Sequence, residues 1–236
     1  MVSISQSLEP NLLVVFGSES PVIKPLIEEF AKKRNVIRIY NRSKPEPKQN
    51  CIDLKLLDQL AEVIQSLELG EGKRIAFVGV ATLSQQKLFT QLKNDEVDLM
   101  IDTNIRKYIS VLSELLPIMI REKYGRLVYL SSFRTKFPAR GASIYTASKL
   151  FCESLFSSIG QEYGRLNITS TSIRMGFFNG RMIDDLPSDL IEGQLKKVSL
   201  RRHGTGLELM QTINLAFANP YLNGGLIDLN GGYSSE

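Results

Sequence analysis

The chain has 236 residues, of which 43% are hydrophobic and 23% are charged, a composition typical of soluble globular proteins. Its 29 basic and 25 acidic residues give a net charge of +4 and are spread along the sequence, which argues against a nucleic-acid-binding protein. No apolar run approaches the roughly 18 residues that a bilayer-spanning helix needs. Residues 1–11 carry no export signal. We therefore expect a cytoplasmic protein with neither a nucleic-acid nor a membrane partner.

Cysteine and histidine residues are too few to predict a metal site. Cys51 and Cys152 lie far apart, and His203 is the one histidine. These counts argue against a zinc site, a disulfide framework and a Ser-His-Asp triad. The sequence LRRHGTG around His203 is typical of a solvated loop rather than of a catalytic base. We expect no metal, and we expect Cys152 to be a buried free thiol.

Short apolar runs alternate with segments of helical periodicity along the whole chain. The apolar runs predict strands, in chain order, at NLLVVFG from Asn11, NVIRIY from Asn35, NCID at 50–53, RIAFVGVA from Arg74, RLVYLSS from Arg126, ITSTSIRMG from Ile168 and GGLIDL from Gly224. The predicted helices are Val22–Lys33, Leu54–Leu67, Glu96–Lys123, Ser143–Tyr163 and Gly206–Ala218. This alternation predicts an α/β fold, a doubly wound parallel sheet of about seven strands with helices on both faces. Residues 1–236 are expected to form one domain.

Tyr145 and Lys149 are four residues apart in the predicted helix ASIYTASKLF. Positions i and i+4 lie on one helix face about 5–6 Å apart, so both side chains can address the same small volume. A phenol acts as an acid or base near neutral pH only if its phenolate is stabilised, which a nearby ammonium can do. Two solvated polar residues are the alternative interpretation of this pair.

Ser132 ends the predicted strand GRLVYLSS. The carboxyl ends of parallel strands are where doubly wound folds bind ligands. A hydroxyl at this place can donate to a carbonyl oxygen while a tyrosine exchanges a proton with the same atom. The alternative is that Ser131 and Ser132 simply begin a polar loop.

A strand ending in Ser132, followed by Tyr145 and Lys149 in YTASK, resembles the short-chain dehydrogenase/reductase superfamily. Asn104 in MIDTNIRKYI matches the fourth catalytic position of this family, and GGLIDLNGG at 224–232 resembles its closing strand and Gly-Gly turn. The layout resembles the 3-oxoacyl reductase branch most. The resemblance covers nearly the whole chain and implies a Rossmann-like fold.

The resemblance also implies roles for these residues. Tyr145 would be the general acid in carbonyl reduction, or the base in alcohol oxidation, while Ser132 holds the substrate oxygen. Lys149 would lower the pKa of Tyr145 and hold the nicotinamide ribose. Asn104 would keep a water in a proton path from Lys149 to solvent. The hydride would come from the cofactor.

The glycine-rich turn of the family is altered in this chain. The sequence FGSESPVI keeps Gly17, but Pro21 and Ile23 stand where the family has its second and third glycines. Pro21 removes one backbone donor to phosphate, and the bulk of Ile23 is expected to push the helix away from the sheet or the cofactor. Ser18 and Ser20 are the hydroxyls that could compensate.

Two further family motifs also differ. GVAT, from Gly79 to Thr82, replaces the Asn-Asn-Ala-Gly motif, and Met175-Gly176 replaces the Pro-Gly motif. Asn179 could take the part of the threonine that follows Pro-Gly in the family.

The sequence favours NADP(H) as cofactor. After the second strand, IYNRS lacks the acidic residue that would repel a 2′-phosphate, and its guanidinium and hydroxyl suit that group instead. A solvated Arg-Ser loop is the alternative. With the resemblance, the expected cofactor-binding residues are Gly17, Ser18, Ser20, Val22, Asn41, Arg42, Ser43, Asp53, Leu54, Gly79, Val80, Tyr145, Lys149, Met175, Gly176 and Phe178.

By the resemblance, substrate specificity would lie in a segment of about residues 177–204. It supplies an apolar set that could form a wall or simply pack: Phe177, Phe178, Met182, Ile183, Leu186 and Leu190. Its basic residues, Lys196, Lys197, Arg201 and Arg202, could receive a phosphate or an acidic carrier, or form a solvated face. Phe151, Leu155 and Phe156 suit the subunit contacts of a homotetramer, with a homodimer as the alternative.

The sequence therefore predicts an NADPH-dependent carbonyl reductase acting on a small-molecule carbonyl or alcohol substrate, which could be carrier-bound. The altered cofactor motifs leave two alternatives open: a non-catalytic binding or scaffolding subunit of the same fold, and an epimerase or other tailoring enzyme.

Overall fold

Seven parallel strands form the centre of the molecule. The structure, a computed structural model, describes residues 9–40, 51–69, 72–179 and 188–234. The strands are β1 (Leu12–Phe16), β2 (Asn35–Tyr40), β3 (Cys51–Asp53), β4 (Ile75–Gly79), β5 (Gly125–Ser132), β6 (Ile168–Met175) and β7 (Gly225–Leu229). Their order in the sheet is β3-β2-β1-β4-β5-β6-β7, and every neighbouring pair is parallel. The predicted fold class is confirmed.

Helices lie between β1 and β2 and between each pair of successive strands from β3 to β7, as crossovers between parallel strands usually require. The α-helices are α1 (Lys24–Ala31), α2 (Leu60–Ser66), α3 (Asn94–Ile101), α4 (Lys107–Glu122), α5 (Ser143–Tyr163), α6 (Ser188–Leu195) and α7 (Gly206–Ala218). Short 3-10 helices lie at Pro21–Ile23, Leu54–Gln59, Phe89–Gln91, Phe133–Thr135 and Gly164–Leu166. Within the described ranges, no helix is long and apolar enough to span a bilayer.

Two of the predicted helices are less regular than their periodicity indicated. The predicted helix Leu54–Leu67 begins as a 3-10 helix and becomes α-helical only at Leu60. The predicted helix Glu96–Lys123 is divided by a π-helical turn, Asp102–Arg106. Apolar periodicity cannot distinguish these geometries, because 3-10 and π turns displace a side chain by only a fraction of a turn. By contrast, the bounds of α5 and α7 agree with the prediction residue by residue.

The sheet separates two hydrophobic cores. All residues of β1 are buried, and successive side chains of a strand point to opposite faces. Leu12, Val14 and Phe16 therefore pack against α2, α4 and α5, whereas Leu13 and Val15 pack against α1 and α7.

The structure corrects one part of the assembly prediction. Phe156, expected at a subunit contact, is fully buried in the first core, and Leu155 packs against that core. Helix α5 is buried on one side only. Phe156 lies on that side, whereas Phe151 lies away from it and is 44% exposed. Of the three residues proposed for the contact, only Phe151 is therefore well exposed.

Candidate active site

A cavity of about 500 Å³ opens at the carboxyl ends of β1, β4, β5 and β6. Its wall includes Gly17, Val80, Ser132 and Met175, each of which ends one of these strands or directly follows it. Strands β1 and β4 are neighbours in the sheet although β2 and β3 separate them along the chain. Successive strands are thus added on one side of β1 as far as β3 and on its other side from β4 onward. Doubly wound sheets leave a ligand-binding crevice at such a switch point.

Three of the predicted catalytic side chains meet in this wall. Tyr145, Lys149 and Ser132 are 8%, 2% and 7% exposed, respectively. The Ser132 side chain lies close enough to the Tyr145 phenol to lower its pKa. The Lys149 Nζ atom lies 5.9 Å from the centroid of the Tyr145 ring and donates a 2.8 Å hydrogen bond to the backbone oxygen of Leu130. A hydroxyl, a phenol and an ammonium therefore surround one end of the cavity.

Burial controls the ionisation of these groups. It raises the pKa of Tyr145 above its ordinary value, although the Ser132 side chain and the charge of Arg134 act to lower it. Burial also lowers the pKa of Lys149 to about 8, against the opposing effects of Cys152 and Glu153. The resemblance implied that Lys149 lowers the pKa of Tyr145, whereas the net shift is upward because desolvation of the phenolate is the largest effect. At pH 7, Tyr145 is neutral and Lys149 is mostly protonated.

Asn104 lies beside the cavity rather than in its described wall. It is buried in the π-helical turn, where its Oδ1 accepts from the Leu83 amide at 2.7 Å and its Nδ2 donates to the Leu83 oxygen at 2.8 Å. The same Nδ2 donates to the Ser148 hydroxyl at 3.0 Å, and the Cys152 thiol donates to the Asn104 backbone oxygen at 3.1 Å. Asn104 therefore holds the segment after β4 against α5. Cys152, which donates to the backbone oxygen of Asn104, is a buried free cysteine, as predicted.

The altered glycine turn is well packed. Gly17 has a φ of 89°, and a Cβ atom there would lie 2.4 Å from the Ala81 amide, so the turn needs glycine. Ile23 is fully buried and packs in the core beneath α1 rather than projecting into the cavity. Ser18 is also buried, lies outside the described wall, and has its hydroxyl 3.4 Å from the Glu19 carboxylate. Of the two serines expected to compensate, only Ser20 lines the cavity.

The other expected cofactor residues divide into three groups. Val22, Val80, Met175, Gly176 and Phe178 line the cavity. Gly79 does not, because it lies against the Tyr108 ring, which a Cβ atom would approach to 2.4 Å.

The third group lies at the edge of the sheet. Asn41, Arg42 and Ser43 fall outside the described residues. For Asp53 and Leu54 the structure gives the backbone, with Asp53 paired to Tyr40 at the ends of β3 and β2, and Tyr40 lines the cavity.

The segment after β6 contributes Phe177, Phe178 and Asn179 to the wall. Asn179 Oδ1 lies 3.0 Å from Nδ1 of His203, whose loop is partly exposed and does not line the described cavity. Met182, Ile183 and Leu186 lie outside the described residues, as does the side chain of Leu190. The basic residues Lys196, Lys197, Arg201 and Arg202 are exposed, and Arg202 pairs with Glu208 at 2.6 Å.

Sequence reasoning missed several residues of the wall. Arg134 and Arg140 lie in the loop after β5, and Thr103 precedes Asn104 in the π-helical turn. The Thr103 hydroxyl is buried and has no hydrogen-bond partner among the described residues. The argument that selected Ser132, that strand ends meet at the ligand site, also applies to the loop that follows, and it could have indicated Arg134. No pattern in the sequence marks Thr103.

Several known proteins are similar to this chain in sequence. A 3-oxoacyl (acyl-carrier-protein) reductase of Staphylococcus epidermidis is 25% identical over 177 residues, covering 74% of this chain and 72% of the relative. The protein of the same name from Thermotoga maritima is 26% identical over the same shares. A nodulation protein G of a Rhizobium species is 26% identical, covering 80% of this chain and 75% of the relative.

The fold has a similar solved structure, a 3-oxoacyl (acyl-carrier-protein) reductase from Agrobacterium tumefaciens with NADP bound. The TM-score is 0.81 at 16% identity, covering 96% of this chain and 95% of the other. Fold and site together thus define a Rossmann-type α/β protein with a Ser-Tyr-Lys centre at its strand ends. The family model for short chain dehydrogenase matches residues 33–190, and this chain belongs to that family. The predicted resemblance is confirmed.

Proposed function

We propose that this chain is an NADP(H)-dependent carbonyl reductase that acts on a ketone, with Tyr145 as the general acid. The proximity of the buried Ser132 and Tyr145 side chains in one cavity wall carries the proposal. Two neighbouring hydroxyls can both bond to one carbonyl oxygen placed between them. The names of the curated relatives, which are 3-oxoacyl reductases, support the same class of reaction.

The residues act on the carbonyl oxygen in different ways. Ser132 donates a hydrogen bond that stabilises negative charge developing on this oxygen. Tyr145 delivers the proton, since its raised pKa keeps the phenol protonated at neutral pH. Lys149 places a buried positive charge near the phenol and stabilises the phenolate that remains after proton transfer. Asn104 acts indirectly, because it fixes the position of α5 relative to the segment after β4.

The residues around the Gly17 turn fit a nicotinamide dinucleotide. Gly17 and Ser20 line the cavity at this turn, and the buried Thr103 hydroxyl offers the wall an unused donor. Gly17, Ser20, Val22, Thr103 and Gly176 would hold this cofactor, which supplies the hydride when bound. The sequence around Arg42 favours NADP(H) over NAD(H), and the NADP in the Agrobacterium structure supports that choice.

The substitution Tyr145→Phe tests the general acid. Removing the phenolic proton should lower kcat for ketone reduction by about a hundredfold or more. NADPH affinity, measured by calorimetry, should stay within about twofold, because the ring remains in place. Tyr221→Phe is the matched control, as Tyr221 is 96% exposed, and it should leave both quantities unchanged. Persisting turnover in Tyr145→Phe would assign the acid to another group.

The non-catalytic alternative has one observation in its favour. Pro21 and Glu19 both line the cavity at the altered turn, where one lacks a donor and the other adds negative charge. Titration of the purified protein with NADPH and NADH decides between the two functions. Selective NADPH binding supports the reductase, whereas no binding of either nucleotide at millimolar concentration supports a binding or scaffolding subunit.

The remaining parts of the proposal concern partners. A small-molecule substrate, free or carrier-bound, suits the cavity. A homotetramer or homodimer is proposed from the exposed apolar residues Ile109 on α4 and Leu150 and Phe151 on α5.

A further inference from the structure

Two arginines line the cavity without a carboxylate partner in the described part of the chain. They are Arg134 and Arg140, both in the loop between β5 and α5. Other cations close to them in sequence or across the same loops are neutralised: Lys136 pairs with Asp228 at 2.8 Å, and Lys87 pairs with Glu96 at 2.5 Å. Besides the ammonium of Lys149, which bonds to the Leu130 oxygen, Arg134 and Arg140 are thus the cations of the described wall, and neither pairs with a carboxylate among the described side chains.

Arg134 lies next to the reacting groups. Its backbone amide donates to the Ser132 hydroxyl at 3.3 Å, within the 3-10 turn Phe133–Thr135. Its guanidinium lies 4.9 Å from the centroid of the Phe133 ring, which restricts its orientation. The guanidinium is also close enough to Tyr145 for its charge to act on the phenol and lower its pKa.

Arg140 lies on the rim of the cavity where two loops meet. The neighbouring Gly141 has a φ of 81°, and its oxygen accepts a 3.1 Å hydrogen bond from the Lys87 amide. This bond ties the loop that carries Arg140 to the segment after β4, which supplies the opposite wall. Glu19, on the side of the Gly17 turn, is the one acidic residue in the described wall. Positive charge therefore predominates in the described wall, and Arg134 brings part of it close to Ser132.

We propose that the substrate carries an oxyanion, a carboxylate or a phosphate, in addition to its carbonyl group, and that Arg134 and Arg140 bind this anion. The inference rests on the proposed function, since it places the carbonyl at Ser132 and Tyr145. A guanidinium binds a carboxylate or phosphate through two parallel hydrogen bonds, and a partly enclosed cavity strengthens such contacts. The two arginines thereby orient the substrate so that its carbonyl oxygen reaches the two hydroxyls.

The test uses two pairs of probes. The two members of each pair share a carbonyl group but differ in charge. Acetoacetate and its methyl ester test a carboxylate, and dihydroxyacetone phosphate and dihydroxyacetone test a phosphate. Binding of each probe to the NADPH-loaded protein is measured by calorimetry, and reduction is measured in parallel. At least one anion should bind more tightly than its neutral partner. Arg134→Gln and Arg140→Gln should each weaken that binding about tenfold or more, as expected for a lost charge-assisted hydrogen bond.

The control variant is Arg165→Gln. Arg165 is exposed in the turn before β6, at the opposite end of the sheet from the cavity, so its loss should not change anion binding. Thermal unfolding checks that the three variants are equally folded.

The outcomes separate the anion site from the reductase activity. Arginine-dependent binding of acetoacetate alone assigns a carboxylate, and arginine-dependent binding of the phosphate ester alone assigns a phosphate. If neither anion binds in an arginine-dependent way, the inference is overturned. Reduction of the neutral probes would then still support the proposed function, because that reaction does not need the arginines.

Discussion

Lys149 illustrates how burial changes the chemistry of a single residue. Its side chain is 2% exposed, and its ammonium bonds to the Leu130 oxygen while lying 4.9 Å from the centroid of the Tyr129 ring. These contacts offset part of the cost of burying the charge, but desolvation still lowers the pKa of Lys149 to about 8. The protonated amine and the neutral phenol of Tyr145 therefore coexist at pH 7, which is the state that carbonyl reduction requires.

The lowered pKa of Lys149 predicts a pH dependence of stability. In the unfolded chain the pKa returns to about 10.5, so between pH 8 and 10.5 the unfolded state binds more protons than the folded state. The free energy of unfolding should rise with pH in this window, as the cost of a buried charge disappears. Lys149→Met removes this contribution, so its advantage in stability over the wild type should shrink between pH 8 and 10 by on the order of 2 kcal/mol.

Urea unfolding at pH 7, 8, 9 and 10 measures this effect. The exposed Lys24→Met on α1 is the control, and its profile should run parallel to that of the wild type. A parallel profile for Lys149→Met would contradict the proposed burial of the charge.

At the scale of elements, one face of α5 organises the site. Tyr145, Lys149 and Glu153 follow one another at intervals of four residues and all point toward the sheet. Glu153 accepts hydrogen bonds from Ser131 at 2.6 Å and Thr135 at 2.8 Å, and Arg174 of β6 donates to both of its oxygens. The helix is thus fastened to the residues on either side of Ser132.

Glu153→Leu should therefore destabilise the protein by about 3–5 kcal/mol, because it leaves the Arg174 guanidinium without its buried partner. Denaturant unfolding measures the loss. Glu162→Leu, an exposed position on the same helix, should change stability by less than about 0.5 kcal/mol. Equal effects of the two substitutions would show that the Glu153 contacts add little.

At the scale of the whole molecule, the proposed contact with a second copy involves the exposed apolar residues of α4 and α5. Ile109 is 41% exposed, and Leu150 and Phe151 are each 44% exposed. Helix α5 also carries Tyr145 and Lys149 on its buried face, so a contact on this surface would restrain the helix that holds the proposed catalytic groups.

Phe151→Glu should reduce the molar mass of the protein in solution from that of a tetramer or dimer to a smaller species, because it buries a charge at the contact. Size-exclusion chromatography with light scattering measures the mass. Tyr221→Glu, at a 96% exposed position outside this surface, should keep the wild-type mass. An unchanged mass for Phe151→Glu would place the contact elsewhere.

The sequence by itself determined the seven strands in chain order and a parallel α/β sheet, because apolar periodicity reports directly which faces are buried; the order of the strands within the sheet and the helix Ser188–Leu195 were not predicted. Strand ends and helix spacing pointed to Ser132 and to the pair Tyr145 and Lys149 but left a polar loop and a solvated pair as alternatives, and the resemblance to the short-chain dehydrogenase/reductase superfamily predicted that they share one site. Only the tertiary structure decided the direction of the pKa shift of Tyr145, the part of Asn104 in holding Leu83, and the presence of Arg134 in the wall. These properties depend on burial and on contacts between residues distant in the chain, which arise only when the helices pack against the sheet.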